Sequence, residues 1–358
     1  MSPPARSEIR PGMRGRLGEL CYRSGLLRLL QHARGWLCRD LRVLAYHRVL
    51  PLAEPDRFDF DLELVSASLD GFRRQMQLLQ RRFRPLQLTQ VLAMLDAGER
   101  LPANTVVVTF DDGYDDNYRY VFPVLRELGI PATFFVCTGH IDSGRPYAYD
   151  WLVHMILCTQ AGELAIPELG LAQAMPTDRP ARRRLAQQAL DRLKALDGTD
   201  QAAVIARLEA AWNLPREVSH PDCRPMSWAQ LREMHAAGFE IGSHGVHHRM
   251  LAKLPQHELE AELRGSRAAL ERELGASATL MSYPVGGDAA FDERVVRATR
   301  EAGYRAACSY ICGTNFARTA DRYALYRLPV EREMDAGWFA AMLTMPGLMS
   351  YPTVSRIS

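Results

Sequence analysis

Apolar positions along the chain keep two different rhythms. Within residues 68 to 82, Leu69, Phe72, Met76 and Leu79 recur at three- and four-residue intervals, which predicts a helix with one buried face. Residues 87 to 97 predict another. The run Val106-Val107-Val108, inside 105 to 110, is continuously apolar and β-branched, the pattern of a strand buried on both faces. Residues 117 to 129 read as a helix closed by Gly129, and 132 to 137 as the next strand. This is the βα alternation of a parallel sheet or barrel, an α/β fold. Between about 141 and 225 the rhythm is interrupted by a charged helical stretch, Pro180 to Leu214, which predicts an inserted lid or side subdomain.

The strand at 105 to 110 runs into Asp111-Asp112-Gly113-Tyr114, two adjacent carboxylates at a glycine turn. Catalytic groups sit at strand ends in α/β folds. An Asp-Asp-Gly turn can equally cap the helix that follows it. A second island, Glu240-Ile241-Gly242-Ser243-His244-Gly245-Val246-His247-His248, is again a strand end entering a turn, now rich in imidazole. A hard carboxylate with two imidazoles is a typical ligand set for Zn²⁺ or a similar divalent ion. On a helix, His244 and His248 would share a face and converge on one ion while His247 turned away; His244 with His247 is the competing pair.

With these two motifs in this order, the chain resembles the polysaccharide deacetylases of the chitooligosaccharide-deacetylase superfamily, whose first motif reads Thr-Phe-Asp-Asp-Gly and second His-x-x-x-His. Further matching segments are Tyr46-His47-Arg48-Val49, residues 129–136, Met226-Ser227-Trp228, residues 237–241 and Ser282-Tyr283-Pro284-Val285-Gly286-Gly287, so that the likeness runs over roughly residues 43 to 330. The resemblance implies a distorted (β/α) barrel of about seven strands. It implies Asp112, His244 and His248 as ligands of Zn²⁺ or another divalent transition metal, and Asp111 as the catalytic base. The backbone N–H of Val285 matches the position that donates to the developing oxyanion. The activity implied is removal of N-acetyl groups from amino sugars of a cell-envelope polysaccharide, oligosaccharide or glycolipid precursor. A metal lowers the pKa of bound water toward neutrality, and a nearby carboxylate takes the proton as that water attacks the acetyl carbonyl.

Two departures from the commoner family pattern matter. The third motif usually carries an arginine that orients the base, and residues 278–284 contain none. The C-terminal Leu-x-His element that usually supplies the general acid is also missing, since no histidine follows His257. A branch acting on exopolysaccharides looks permuted here, with a Tyr-His near the N-terminus placing its histidine over the metal. Tyr46-His47 ends the apolar strand Val43-Leu44-Ala45, so His47 is the expected general acid; the plainer alternative is a strand-end histidine bonded to a neighbouring loop. The absent arginine keeps open a second function, a catalytically impaired glycan-binding member of the same family. An aspartate-based phosphohydrolase would want Asp-x-Asp and a later lysine, where this chain has Asp-Asp-Gly.

Charge and composition narrow the remaining classes. A formal net charge of +2 over 358 residues, with no phosphate-cradling glycine loop and no basic, aromatic-interleaved strand, argues against nucleic acid as the main partner. Seven scattered cysteines without a CxxC pair read as free thiols of a reducing compartment, hence a cytoplasmic location. The distribution of charge is uneven: residues 1 to 45 carry nine arginines against Glu8, Glu19 and Asp40, which makes this segment +6 and the remainder −4. Its apolar stretch Leu26 to Leu30 is too short and too interrupted by Arg28 for a signal peptide. Residues 17 to 37 instead read as a basic amphipathic helix, suited to packing on the barrel, the commoner fate, or to peripheral contact with an anionic membrane at its inner face. No obligate protein partner is implied. The expected organisation is a basic extension over 1–42, a catalytic barrel over 43–335 carrying the 141–225 insertion, and a tail over 336–358. Tyr147-Ala148-Tyr149-Asp150-Trp151 fits the core of the insertion better than a sugar-stacking subsite.

Overall fold

The computed structural model describes residues 13–196, 198–216, 220–316 and 320–351. These fall into two compact units, one lying within residues 10–51, 65–142 and 226–358, the other within 52–64 and 143–225.

The larger unit is built on seven parallel strands: β1 (Asp40–Tyr46), β2 (Thr105–Phe110), β3 (Thr133–Val136), β4 (Glu240–Ser243), β5 (Leu280–Ser282), β6 (Ala306–Cys312) and β7 (Leu325–Pro329). Each pairs with the next, and β7 pairs with β1, so the sheet closes into a barrel with its strands in sequence order. Closure leaves these strands no open edge, which is why β1 and β2 can be buried along their whole length. Helices Leu69–Arg82, Phe122–Leu128, Trp228–Ala236, Gln256–Leu274 and Glu293–Glu301 follow in the intervals between strands. Tyr46, Phe110 and Phe134 stack in succession, with ring centroids 5.2 and 4.9 Å apart, and Phe72 of the first of these helices meets Tyr46 edge-on at 5.5 Å. Burying each such ring stabilises the fold by about 1.5–3 kcal/mol.

The helix expected over 117–129 begins as a π turn, Asn117–Val121, and becomes α-helical at Phe122–Leu128. Pro123 has no N–H to donate, so regular α-helical bonding starts only around it. Gly129 closes the helix in the left-handed region at φ 64°.

At the N-terminus the single helix expected over 17–37 is two helices, Met13–Arg23 and Leu26–Leu37, separated at Ser24-Gly25 where Gly25 takes φ 77°. The first packs on the helix Ala336–Thr344, whose Trp338, Phe339, Met342 and Leu343 are buried in the main core, so residues 336–351 form part of the barrel unit where a tail was expected over 336–358. The two helices meet through glycines: a Cβ on Gly337 would stand 2.7 Å from the Cα of Glu19, and one on Gly18 3.1 Å from the Cα of Trp338.

The smaller unit has its own core. Helices Ala148–Cys158, Arg179–Ala195 and Gly198–Ala211 accompany a two-stranded antiparallel sheet, Glu163–Ile166 with Leu171–Ala174. Trp151 is buried among Phe60, His154 and His220, and Tyr147 is buried too, as core packing of the insertion anticipates. The Asp150 carboxylate accepts from the backbone N–H of Asp61 at 2.7 Å, which ties the 52–64 loop to this unit.

Replacing Gly337 by alanine should force the N-terminal helix away from Ala336–Thr344, because the new methyl meets backbone that cannot swing aside. We expect Gly337→Ala to make the chain after Arg16 and Arg23 sensitive to trypsin while bound metal stays unchanged; unchanged protection would show that the helix is not seated through this contact.

Candidate metal centre and catalytic site

Every candidate residue lies at a carboxyl end of a barrel strand, where loops can vary without disturbing the core. Asp111 and Asp112 follow β2, His47 follows β1, His244 follows β4, and Ser282 ends β5. Residues Tyr46 and Phe110 are register partners, and the Asp111 N–H donates to the Tyr46 carbonyl at 2.9 Å, so the Tyr-His and Asp-Asp motifs emerge side by side.

Asp112, His244 and His248 present one carboxylate oxygen and two ring nitrogens that all lie within 4.8 Å of one another. The Asp112 Oδ1 is 3.5 Å from His244 Nε2 and 3.3 Å from His248 Nε2. Ligands at the usual zinc distances of about 2.0–2.2 Å lie about 3.4 Å apart around a tetrahedron, whereas a charge-assisted hydrogen bond would be nearer 2.8 Å. The spacing therefore fits a divalent cation. His244 Nδ1 donates to the Ser282 carbonyl at 2.7 Å, which leaves Nε2 as the ring atom turned toward Asp112. Burial alone would depress the His244 pKa, but the Asp111 and Asp112 carboxylates overcome this and raise it; burial likewise pushes Asp112 up, and the two imidazoles pull it well below the carboxylate norm. Protons and a cation thus compete for one place, so metal affinity should weaken in acid.

The route by which His248 arrives differs from the helical turn suggested by its spacing. After β4 the chain leaves helical geometry altogether, and His248 reaches the cluster with φ 57°. Glu262, buried on the helix Gln256–Leu274, anchors this loop by accepting from the N–H groups of Val246 and His247 at 2.7 and 3.0 Å and from the His247 ring at 2.7 Å. His247 is accordingly engaged outside the cluster. Its pKa is raised, chiefly by that bond to Glu262.

The residue that motif comparison did not supply is Arg327, on β7 and wholly buried. Its Nη1 donates to Asp111 Oδ1 at 2.8 Å and its Nη2 to Asp111 Oδ2 at 2.7 Å, a two-pronged clamp on the expected base. Nη2 also donates to the Ser282 hydroxyl at 3.0 Å, and that hydroxyl donates to Asp111 at 3.2 Å. Burial pushes Asp111 up, yet the guanidinium, together with the nearby His244 and His47 rings, more than offsets it and the net pKa lies below the ordinary carboxylate value. A base-orienting arginine absent from residues 278–284 is therefore present on another strand. Its only trace in the sequence is a lone cation in the otherwise apolar strand Leu325-Tyr326-Arg327-Leu328-Pro329.

His47 is held by its neighbours in the chain. Its N–H donates to the Ser66 hydroxyl at 2.9 Å, and the next residue, buried Arg48, pairs with Asp116 at 2.8 Å. Burial lowers the His47 pKa, while Asp112 and then Asp111 pull it back up, which places the ring in the field of the site carboxylates. Tyr310, on β6, lies 5.3 Å from the His47 ring and 5.4 Å from the Arg327 guanidinium by ring centroid. Val285 takes φ 65° and its side chain is exposed; Gly286 after it lies so close to Tyr310 that a Cβ would come within 2.6 Å.

Known proteins share the sequence and the fold in which this site is set. The polysaccharide deacetylase family model matches residues 98–169 and 173–307, more than half of the chain, and the protein belongs to that family. A Bacillus subtilis protein, YxkH, classed as a polysaccharide deacetylase, is 21% identical over 250 residues, 70% of this chain and 60% of its own length. The poly-β-1,6-N-acetyl-D-glucosamine N-deacetylase of Escherichia coli is 28% identical over 109 residues, which is 30% of this chain and 15% of that enzyme. The chain thus spans less than two thirds of either relative. Among solved structures, Streptococcus pyogenes deacetylase PplD in complex with acetate superposes with a TM-score of 0.56 at 16% identity over 87% of this chain and 99% of PplD. IcaB from Ammonifex degensii does so with 0.55 at 20% identity over 86% of this chain and 97% of IcaB.

Alanine at Asp112, His244 or His248 should remove most bound metal, since each deletes one of three protein ligands. His247→Ala should retain far more. Metal content of the four purified variants checks this, and equal loss in the His247 variant would overturn the ligand set. Arg327→Met should remove the strongest opposition to the burial of Asp111, raising its pKa and moving the acidic limb of the pH–rate profile to higher pH; loss of a buried partner should also cost about 3–5 kcal/mol in denaturant unfolding. An acidic limb that stays in place would mean that Asp111 is not the group titrating there.

Proposed function

We propose that this protein is a metal-dependent hydrolase that removes N-acetyl groups from amino sugars of a cell-envelope polysaccharide, oligosaccharide or glycolipid precursor. The observation that carries the reading is the pairing of an arginine-clamped carboxylate, Asp111, with the Asp112–His244–His248 cluster beside it. The family match and the N-deacetylase named among the relatives support the substrate class.

A divalent cation held by Asp112, His244 and His248 would polarise the acetyl carbonyl and make water acidic enough to be deprotonated near neutrality. The rest falls to the chain's own groups. Asp111, kept ionised by Arg327 and the neighbouring imidazoles against the cost of its burial, accepts the proton of the attacking water. Arg327 fixes both of its oxygens, so the base holds one orientation through the reaction. The Val285 N–H, on the strained turn after Pro284, is the donor assigned to the carbonyl oxygen as charge develops on it. His47 delivers a proton to the departing amine nitrogen, without which the C–N bond cannot break to a neutral amino sugar. The products are acetate and the free amine.

The glycan-binding alternative drew its support from a missing arginine, and Arg327 now stands against the base. The deciding experiment is acetate release by the metal-loaded protein across acetylated glycans, peptidoglycan and lipid-linked saccharides. Release from at least one acetylated amino sugar is expected. Metal retention with no acetate from any of them would favour the binding role.

Two substitutions assign the proton transfers. Asp111→Asn should keep the metal and lose about 10²–10⁴-fold in turnover. His47→Gln should keep fold and metal and lose about 10²-fold or more. Since burial favours the neutral His47 ring, the protonated acid is depleted as pH rises through a pKa below the ordinary imidazole value, and this variant should lack the alkaline limb while keeping the acidic one. Normal turnover with an intact alkaline limb would return His47 to a structural role at the strand end.

A further inference from the structure

The outer surface of the N-terminal helices is apolar where a folded protein is ordinarily polar. Ten large hydrophobic side chains are exposed among the described residues, and six of them, Leu17, Leu20, Leu26, Leu29, Trp36 and Leu37, lie on these two helices. Such clustering distinguishes a functional patch from the scattered exposed residues of any surface. In the helix Leu26–Leu37 the buried positions are Leu27, Gln31 and Gly35, one turn apart, and they face the protein. The uncovered positions Leu26, Leu29, Ala33, Trp36 and Leu37 follow the same spacing on another side, with Trp36 86% exposed. The helix is thus docked through one face and carries a second, apolar one that nothing in the described chain covers.

Cations surround that second face. Arg16, Arg23 and Arg28 are exposed on the two helices and Arg39 just beyond them. Beside them a cleft of about 600 Å³ opens, lined by Arg28, His32, Arg81 and Arg82 with Tyr22, and no acidic residue is among its lining. The cleft is a formed feature: the Gln31 amide donates to the Arg82 carbonyl at 2.6 Å, and the Arg82 guanidinium lies 5.1 Å from the centroid of the Tyr22 ring. Apolar stripe, tryptophan and arginine rim are the components of a helix that lies in a bilayer interface. None of the described helices is long and apolar enough to cross a membrane.

We propose that this face docks the protein on an anionic lipid bilayer, with Leu29, Trp36 and Leu37 entering the boundary between headgroups and acyl chains and Arg28, Arg81 and Arg82 receiving lipid phosphates. Charge complementarity selects this occupant over a second copy of the chain. An isologous contact across the stripe would bring each arginine rim toward its own copy, whereas an anionic surface neutralises it. The charge division of the chain, +6 over residues 1 to 45 and −4 elsewhere, turns the same end toward the lipid.

Co-sedimentation of the full-length protein with vesicles tests this, comparing phosphatidylcholine alone with phosphatidylcholine containing phosphatidylglycerol. The wild type should pellet with the anionic vesicles, weakly with the neutral ones, and less as salt rises. The double variant Leu29→Glu, Trp36→Glu should lose partitioning by on the order of tenfold or more, and Arg28→Glu, Arg81→Glu should do the same for the anionic vesicles. Both pairs should keep the wild-type thermal melt and bound metal. Wild-type protein that stays in the supernatant with anionic vesicles at low salt overturns the proposal, as does undiminished binding by both variants. A wild-type dimer in sedimentation velocity that Trp36→Glu dissolves, without vesicle binding, assigns the face to a second copy instead.

Discussion

A single buried ion pair, Arg327 with Asp111, organises the end of the barrel that carries the chemistry. From β7 the guanidinium reaches Thr109 at 3.3 Å on β2, Asp111 just beyond it, Ser282 at 3.0 Å on β5 and the Ser309 carbonyl at 2.6 Å on β6. One side chain therefore ties together four of the seven strands. Two charges withdrawn from water cost more than their attraction returns unless the remaining donors are satisfied as well, and here the two serines and the threonine do so. The same contacts that make the pair tolerable hold the carboxylate in one orientation and keep it ionised.

Around this pair the backbone is bent into conformations that side chains other than glycine ordinarily avoid. Five residues other than glycine have positive φ among the described part, and three of them, Asp112, His248 and Val285, are in the site. Such strain persists only where the surroundings over-determine it. Each of the three loops has an anchor: Met226 donates to the Gly113 carbonyl at 2.9 Å, Glu262 gathers the amides after Gly245, and the Tyr310 N–H donates to the Gly286 carbonyl at 2.6 Å. The strained turns aim their side chains or amides inward while the strands beneath them stay regular.

The N-terminal helices follow a different constraint. Their inner side packs on the protein through close glycine contacts, tightest where Gly337 meets the backbone of Glu19, and their outer side keeps leucines and a tryptophan in solvent among arginines. A helix can satisfy both because its period of 3.6 residues places the docked positions and the exposed apolar stripe on different sides.

The α/β alternation, the buried β2, the carboxylate pair and the imidazole island were legible in the chain because each depends on residues near in sequence, and ordered family motifs carried the barrel and the Tyr-His of β1. His244, His248 and Asp112 were assembled as that resemblance implied, although the helical spacing first used to pair the two histidines was not how the chain brings them together. A left-handed residue at His248, in a loop whose Val246 and His247 amides are held by Glu262, has no local signature. Arg327 was invisible for the same reason, lying more than two hundred residues from the aspartate it clamps. Closing the ring between β7 and β1 is what brings them together. Local pattern decides which segments become strands and which residues can do chemistry; only closure of the barrel decides which of those residues meet, because contacts made across a closed sheet depend on register and not on distance along the chain.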